Sequence, residues 1–573
     1  MSEERKSTSA EETSLSRRRF LGGVGTVAAT AAATAAGLTG SAALEAQLPP
    51  AQEIEEPARK GRKPSARRER MYQIRTDAAK LNRDMPEAVH QTNGDETRYP
   101  NHIGNFSKGL DHNAFGEVDA DSYADLLHAL STGRPEDFEA IPKGGGRRFI
   151  NPQAGLSFDL EGVDAQAYTA PPAPALASAQ AAGEMTELYW MAELRDVKLD
   201  EFADSADAAA ACADLNRLSD YRGLRKRGLV TPDTLFRDPL PGCGKGPYLS
   251  QFLWMDAPFG AENVERRINT RLPGIDYLTD YDDWLNAQKG NAISFAPKAP
   301  VRRYVQTIRD LSTWVHMDVL FQAYFSASLI LGAPPEPFDA SGAGLGCPAN
   351  AGSPYYKSSN QYGFVTFGDP YRKTLLCEVA TRALKATWYQ KWFVHRRLRP
   401  EVFAGRVHNQ VVHNRYPGIL HKDVLDSPVL DRLYSKNGTY LLPMAYVEGS
   451  PLHPSYTAGH ATVAGACVTI LKAVFDENFV IARPVIPQPD GLDLDHSAYD
   501  GPELTVGGEL NKLASNVATG RNMAGVHWRT DAMESLRFGE AIAISLLRDQ
   551  RALYNERFDG FTFTKFDGTK ITV

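Results

Sequence analysis

Three separated stretches of the chain carry side chains that can grip an oxyanion. The first, LHPSYTAGHATV at 452–463, sets His453 and His460 seven apart and leads through Ala458-Gly459-His460 into a long apolar run. A helix opening there presents bare backbone N–H groups, an anion site by geometry and dipole, with His460 at its mouth to exchange protons. The second, TWYQKWFVHRRLRPE at 387–401, spaces Trp388, Lys391, His395 and Arg399 by 3, 4 and 4, one face of a helix. Pro400 disfavours α conformation for the residue before it, so Arg399 is expected in that helix's last turn, able to swing inward. The third, ATGRNMAGVHWRTDAMESL at 518–536, holds Arg521, His527 and Asp531. One helical turn past His527, Asp531 can accept its ring N–H, fixing the tautomer and leaving the other nitrogen as a lone-pair donor.

Singly, each stretch has an ordinary reading: a cationic face, two histidines capping a buried helix, an incidental His–Asp pair. Together, Lys391, Arg399 and Arg521 place three cations beside the backbone donors of Gly459. Three unpaired cations in a core would be very costly. A unit negative charge at about 4 Å returns roughly 4 kcal/mol per cation before desolvation. The residues therefore require a tetrahedral or trigonal oxyanion.

The elements that must position these groups are helical. Apolar spacing predicts helices over 187–202, 208–218, 302–331, 371–398, 461–475 and 531–547, with few strand signals, and hence a mainly α, helix-bundle fold with an oxyanion pocket at helix ends. We divide the chain into an N-terminal mostly helical region, 71–300, and a C-terminal catalytic helix bundle, 301–573. Pro-Gly-Cys-Gly-Lys-Gly at 241–246 is not a phosphate loop: Pro239 stands at the first glycine position, and Gly246 follows the lysine.

The 573 residues are 42% apolar and 23% charged, as in soluble globular proteins, and the net charge of −7 argues against nucleic acid as a partner. Five dispersed cysteines form no CxxC spacing, which excludes zinc ribbons and c-type haem. Ser16-Arg17-Arg18-Arg19-Phe20-Leu21 precedes a mildly apolar Gly/Ala/Thr stretch, giving residues 1–46 the form of a twin-arginine export signal. Export of the folded chain, without stable membrane insertion afterwards, is the expectation. Residues 47–70, Pro-rich and charge-blocked, read as a flexible linker.

The pattern K-(x7)-RP, HPSYxxGH and GR-(x5)-H-(x3)-D resembles the signature of vanadium-dependent haloperoxidases and type 2 phosphatidic acid phosphatases. The seven-residue spacer, WYQKW with HRRLRPE, and LLPMAYVEGSPLHPSY are similar to the algal and cyanobacterial bromoperoxidase branch. That resemblance implies that Lys391, Arg399, Gly459, His460 and Arg521 bind vanadate and that His527 is the axial ligand of vanadium. It implies His460 as acid–base, Lys391 as the group polarising bound hydrogen peroxide, and bromide or iodide leaving as hypohalous acid to halogenate a small organic acceptor. Trp388 and His453 would stand near the halide, with Asp531 behind His527. It further implies a homo-oligomer. Structural calcium, in loops such as Asn360 to Asp369, is a secondary expectation. Ala458 departs from the family's usual Ser-Gly-His and removes a hydroxyl from the oxyanion's surroundings. The alternative on the same scaffold is an acid phosphatase with His527 as phosphorylated nucleophile. A further one is an oxyanion-binding protein without turnover.

Overall fold

The computed structural model describes residues 65–160, 162–291, 297–334 and 344–573. The export signal and most of the linker lie outside these residues. Residues 66–70, expected as linker, instead open a helix. The chain divides into two units, 1–69 and 70–573, and all three oxyanion-gripping stretches belong to the second.

Helices of ten residues or more are numbered in chain order: α1 (Ala66–Asp84), α2 (Ala120–Thr132), α3 (Ala179–Glu193), α4 (Ala206–Arg217), α5 (Ile308–Met317), α6 (Gln322–Gly332), α7 (Asp369–Tyr389), α8 (Pro400–His413), α9 (Pro428–Asn437), α10 (Gly459–Val474), α11 (Val506–Met523) and α12 (Arg529–Leu553). Strands occur only as two-stranded antiparallel pairs among the described residues. One hydrophobic cluster contains Leu188 and Tyr189 of α3 together with Val463 of α10 and Leu536 of α12, so regions 71–300 and 301–573 share a core. The N-terminal region reaches that core through helices separated by long irregular stretches.

Two expected helices are interrupted, and both breaks serve the site. The run 302–331 opens as a strand, Lys298–Arg303, and then forms α5 and α6, which meet at 96°. Thr307 and Asp310 form a reciprocal capping box that starts α5, and Asp318 ends it in extended conformation. The run 371–398 forms α7 but widens into a π turn over Gln390–His395, and Arg396 then takes a left-handed conformation with φ 40°. Such wide turns concentrate at functional sites because they displace side chains from the regular helical face. A small second cluster, with Phe106, Leu126 and Trp392, packs against the π turn beside Lys391.

Glycines set the spacing of the central pair. A Cβ on Gly465 of α10 would lie 2.0 Å from the Leu536 carbonyl oxygen of α12, and one on Gly539 would lie 2.0 Å from that of Thr462. The backbones can touch only because both side chains are absent, and this contact brings the start of α10 against the start of α12. Gly465→Ala or Gly539→Ala should therefore cost about 1–3 kcal/mol or more through forced separation of the helices, read as a lowered denaturant midpoint.

Candidate active site

Lys391, Arg399 and Arg521 converge in the interior. Lys391 and Arg399 are fully buried and Arg521 nearly so. Lys391 Nζ donates to the carbonyls of Pro454 (2.7 Å) and Ser455 (2.8 Å). Arg399 donates to the His453 carbonyl at 2.8 and 3.0 Å and to that of Val526 at 2.7 Å. Arg521 Nη1 donates to the Val315 carbonyl (2.9 Å) and reaches the Tyr446 hydroxyl at 3.3 Å, while its Nε is buried without a partner. Among the described residues, none of these three cations pairs with a carboxylate. Burial, with Arg399 and Arg521 nearby, drives the Lys391 ammonium well below its usual range. Burial pushes Arg399 down to about 9, Asp531 opposing and Arg521 adding to the shift.

Arg399 is brought to the pocket differently from expectation. It is not in the last turn of a helix; it is the extended residue (φ −85°, ψ 155°) that caps α8, with Pro400 as first helical residue. Pro400 disfavours the α region for Arg399, and the chain restarts there instead of continuing α7. His395 does not join the face either. Its ring lies 4.8 Å from that of Tyr456, and burial lowers its pKa to about 3.

His527 stands two residues before α12 rather than within a helix, yet the pair with Asp531 forms across the helix start: His527 Nδ1 donates to Asp531 Oδ2 at 2.9 Å. That places the lone pair on Nε2, which accepts from Arg399 Nη1 at 3.0 Å. Burial first, then Arg399, Lys391 and Arg521, hold His527 neutral far below its ordinary pKa. Gly459 is the first residue of α10, and Ala458 caps it without a side-chain hydrogen bond. His453 Nδ1 accepts from Arg399 Nη2 at 3.0 Å, and its ring lies 5.0 Å from that of Trp388. His460 Nε2 contacts Asp318 Oδ1 at 3.0 Å. Its pKa is lowered by burial, against which Asp318 pulls upward.

Sequence reasoning did not find Asp318, Arg397, Ser455, Glu184 or Tyr446. Arg397 Nη1 donates to Asp531 Oδ1 (2.7 Å) and Nη2 to Glu184 Oε2 (3.1 Å), all three buried. The Ser455 hydroxyl donates to the second oxygen of Asp531. Arg397 was visible within HRRLRPE, but only the break after α7 separates its direction from that of Arg399. Asp318 carries no local signal, since its role depends on the 96° bend.

The class of protein this defines is a helical bundle with a cationic oxyanion pocket at helix starts. A family model described as the VCPO second helical-bundle domain matches residues 378–556. The chain is 35% identical to the vanadium-dependent bromoperoxidase of Corallina officinalis over 593 residues, covering 88% of this chain and 98% of that relative. It is 34% identical to the vanadium-dependent bromoperoxidase of Ascophyllum nodosum, covering 89% and 92%. The homohexameric structure of the second vanadate-dependent bromoperoxidase from Ascophyllum nodosum superposes with a TM-score of 0.82 at 29% identity, over 88% of this chain and 90% of that one. The chain belongs to the vanadium-dependent bromoperoxidase family.

Vanadate fits the residues present. An oxyanion supplies what Lys391, Arg399 and the unpartnered Arg521 Nε lack, the Gly459 end of α10 adds backbone donors, and His527 Nε2 offers a lone pair. A cation would be repelled by Lys391, Arg399 and Arg521. Among the described residues no three His, Cys, Asp or Glu side chains gather to hold a metal ion, so the calcium expectation gains no support there.

Asp531→Asn should weaken vanadate binding about 10–100-fold, measured by calorimetric titration alongside melting curves that show the variant folded. Acid should also destabilise the protein. His112 and His395, depressed by burial to about 4 and about 3 from 6.5, stay neutral in the fold while the unfolded chain takes up protons. Stability is then full above pH 6.5 and declines as pH falls toward 4. Urea midpoints that stay level from about pH 7 to about pH 5 would contradict this.

Proposed function

We propose that the chain is a vanadate-dependent haloperoxidase that oxidises bromide or iodide with hydrogen peroxide to hypohalous acid, which halogenates small organic acceptors. The observation that carries this reading is the set of three buried cations without carboxylate partners, among the described residues, beside a neutral histidine whose Nε2 lone pair faces Arg399. When bound there, vanadate supplies Lewis-acid activation of hydrogen peroxide without changing oxidation state. Lys391, Arg399 and Arg521 neutralise the oxyanion's charge, and the buried walls keep those interactions strong by excluding water. His527 presents Nε2 because Asp531 keeps the proton on Nδ1. His460 is placed to take a proton from, or return one to, an oxygen in the pocket, with Asp318 accepting at Nε2. Trp388 and His453 form an aromatic edge where a polarisable halide can approach.

Residues 16–21 and the stretch after them support an exported enzyme, suited to a product that would damage cytoplasmic components. The homohexameric relative supports a homo-oligomer.

Phosphate-free protein soaked in orthovanadate should brominate or iodinate a phenolic dye with hydrogen peroxide, and Lys391→Ala and His527→Ala should abolish that activity. Phosphate release from p-nitrophenyl phosphate without halogenation would instead identify a phosphatase with His527 as nucleophile. Ala458→Ser should gain about one to two decades in vanadate affinity or rate, the worth of one hydrogen bond to a charged group.

A further inference from the structure

The last turn of α5 forms one wall of the pocket. The Val315 carbonyl accepts from Arg521, the His316 ring stacks on Tyr446 at 3.8 Å, and Asp318 holds His460 at 3.0 Å. Met317 lies between these contacts, and it points outward with 60% of its surface exposed. The site reaches solvent on this side. His460 keeps 17% of its side-chain surface, whereas Lys391 and Arg399 keep none. A thioether therefore stands one residue from the partner of the acid–base histidine, exposed to solvent next to the part of the site that is itself partly exposed.

We propose that Met317 is a self-modification site, oxidised to the sulfoxide by hypohalous acid leaving the pocket. This rests on the haloperoxidase reading. Sulfur gives up two electrons and gains an S–O bond, the oxygen–halogen bond of the acid breaks, halide departs and the proton goes to solvent. The oxidant is the enzyme's own product. The sulfoxide puts a polar group beside Asp318, and its exposure leaves it open to reduction. An internal reference exists in Met71 on α1, 45% exposed. Other methionines of the core, such as Met185, Met444 and Met523, are fully buried.

The experiment follows sulfoxide at both positions by peptide mass spectrometry in the vanadate-loaded enzyme during turnover with bromide. Excess phenolic dye is present to consume oxidant that reaches bulk solution. Met317 should be oxidised at least about fivefold more than Met71, and only when bromide and hydrogen peroxide are both supplied. Added hypobromite without turnover should oxidise both to similar extents. Met317→Leu should keep initial activity and remove the turnover-dependent oxygen from that peptide. Equal oxidation of the two residues under dye, or oxidation of Met317 by hydrogen peroxide alone, would overturn the proposal while leaving the haloperoxidase reading intact. Absence of dye bromination in the same vessel would overturn both.

Discussion

Lys391, Arg399 and Arg521 repel one another, and the fold holds them together with carbonyl dipoles instead of carboxylates. A dipole satisfies the hydrogen bonds of a buried cation without cancelling its charge, so the pocket keeps a net positive field until an anion enters. Each supplying carbonyl is freed by a break in regular structure. Those of His453, Pro454 and Ser455 come from the irregular approach to α10, Val315 from the end of α5, and Val526 from the turn between α11 and α12. Uninterrupted helices would have spent those carbonyls on their own backbones.

Asp531, whose charge acts on Lys391 and Arg399, has to be kept from neutralising this field. Asp531 is buried against His527, but Arg397 takes its other oxygen and leans in turn on Glu184. With one positive charge committed to it, Asp531 orients the imidazole at little cost to the pocket's charge. The arrangement assigns adjacent arginines opposite tasks. Arg397 turns toward α12 and its carboxylate, while Arg399 turns toward the ligand-facing nitrogen of His527. The left-handed Arg396 and the proline after Arg399 allow two residues so close in sequence to serve separate shells.

The chemistry of the site was legible because it depends on residue type: the structure joins Arg399, His453, His527 and Asp531 through hydrogen bonds and sets Trp388 against His453, whereas His395 stands apart beside Tyr456. The helices α10 and α12 were legible for the same reason, since apolar spacing marks a face wherever the helix runs without interruption. What failed was continuity. Apolar periodicity persists through Gln390–His395 and through 318–321, so it cannot reveal a π turn or a 96° bend that tertiary packing imposes. Asp318 was hidden for that reason, because it approaches His460 only once α5 has ended. His395 shows the converse error: correct spacing on an ideal helix assigned it to a face that the widened turn removes.

Ala458 is accommodated by support from a neighbouring helix. A serine here has two separable tasks, to hold the entry of α10 and to give a hydroxyl to the oxyanion. The first has passed to α12: the Ala458 N–H donates to the Ser535 hydroxyl at 2.8 Å. The Ala458 carbonyl accepts from both the backbone and the hydroxyl of Thr462. The N-terminus of α10 is thus fixed from outside, and Gly459 and His460 stay in position although the residue before them has no cap of its own. The lost hydroxyl is a loss to the anion alone, and the three cations set how much of that loss the site can absorb.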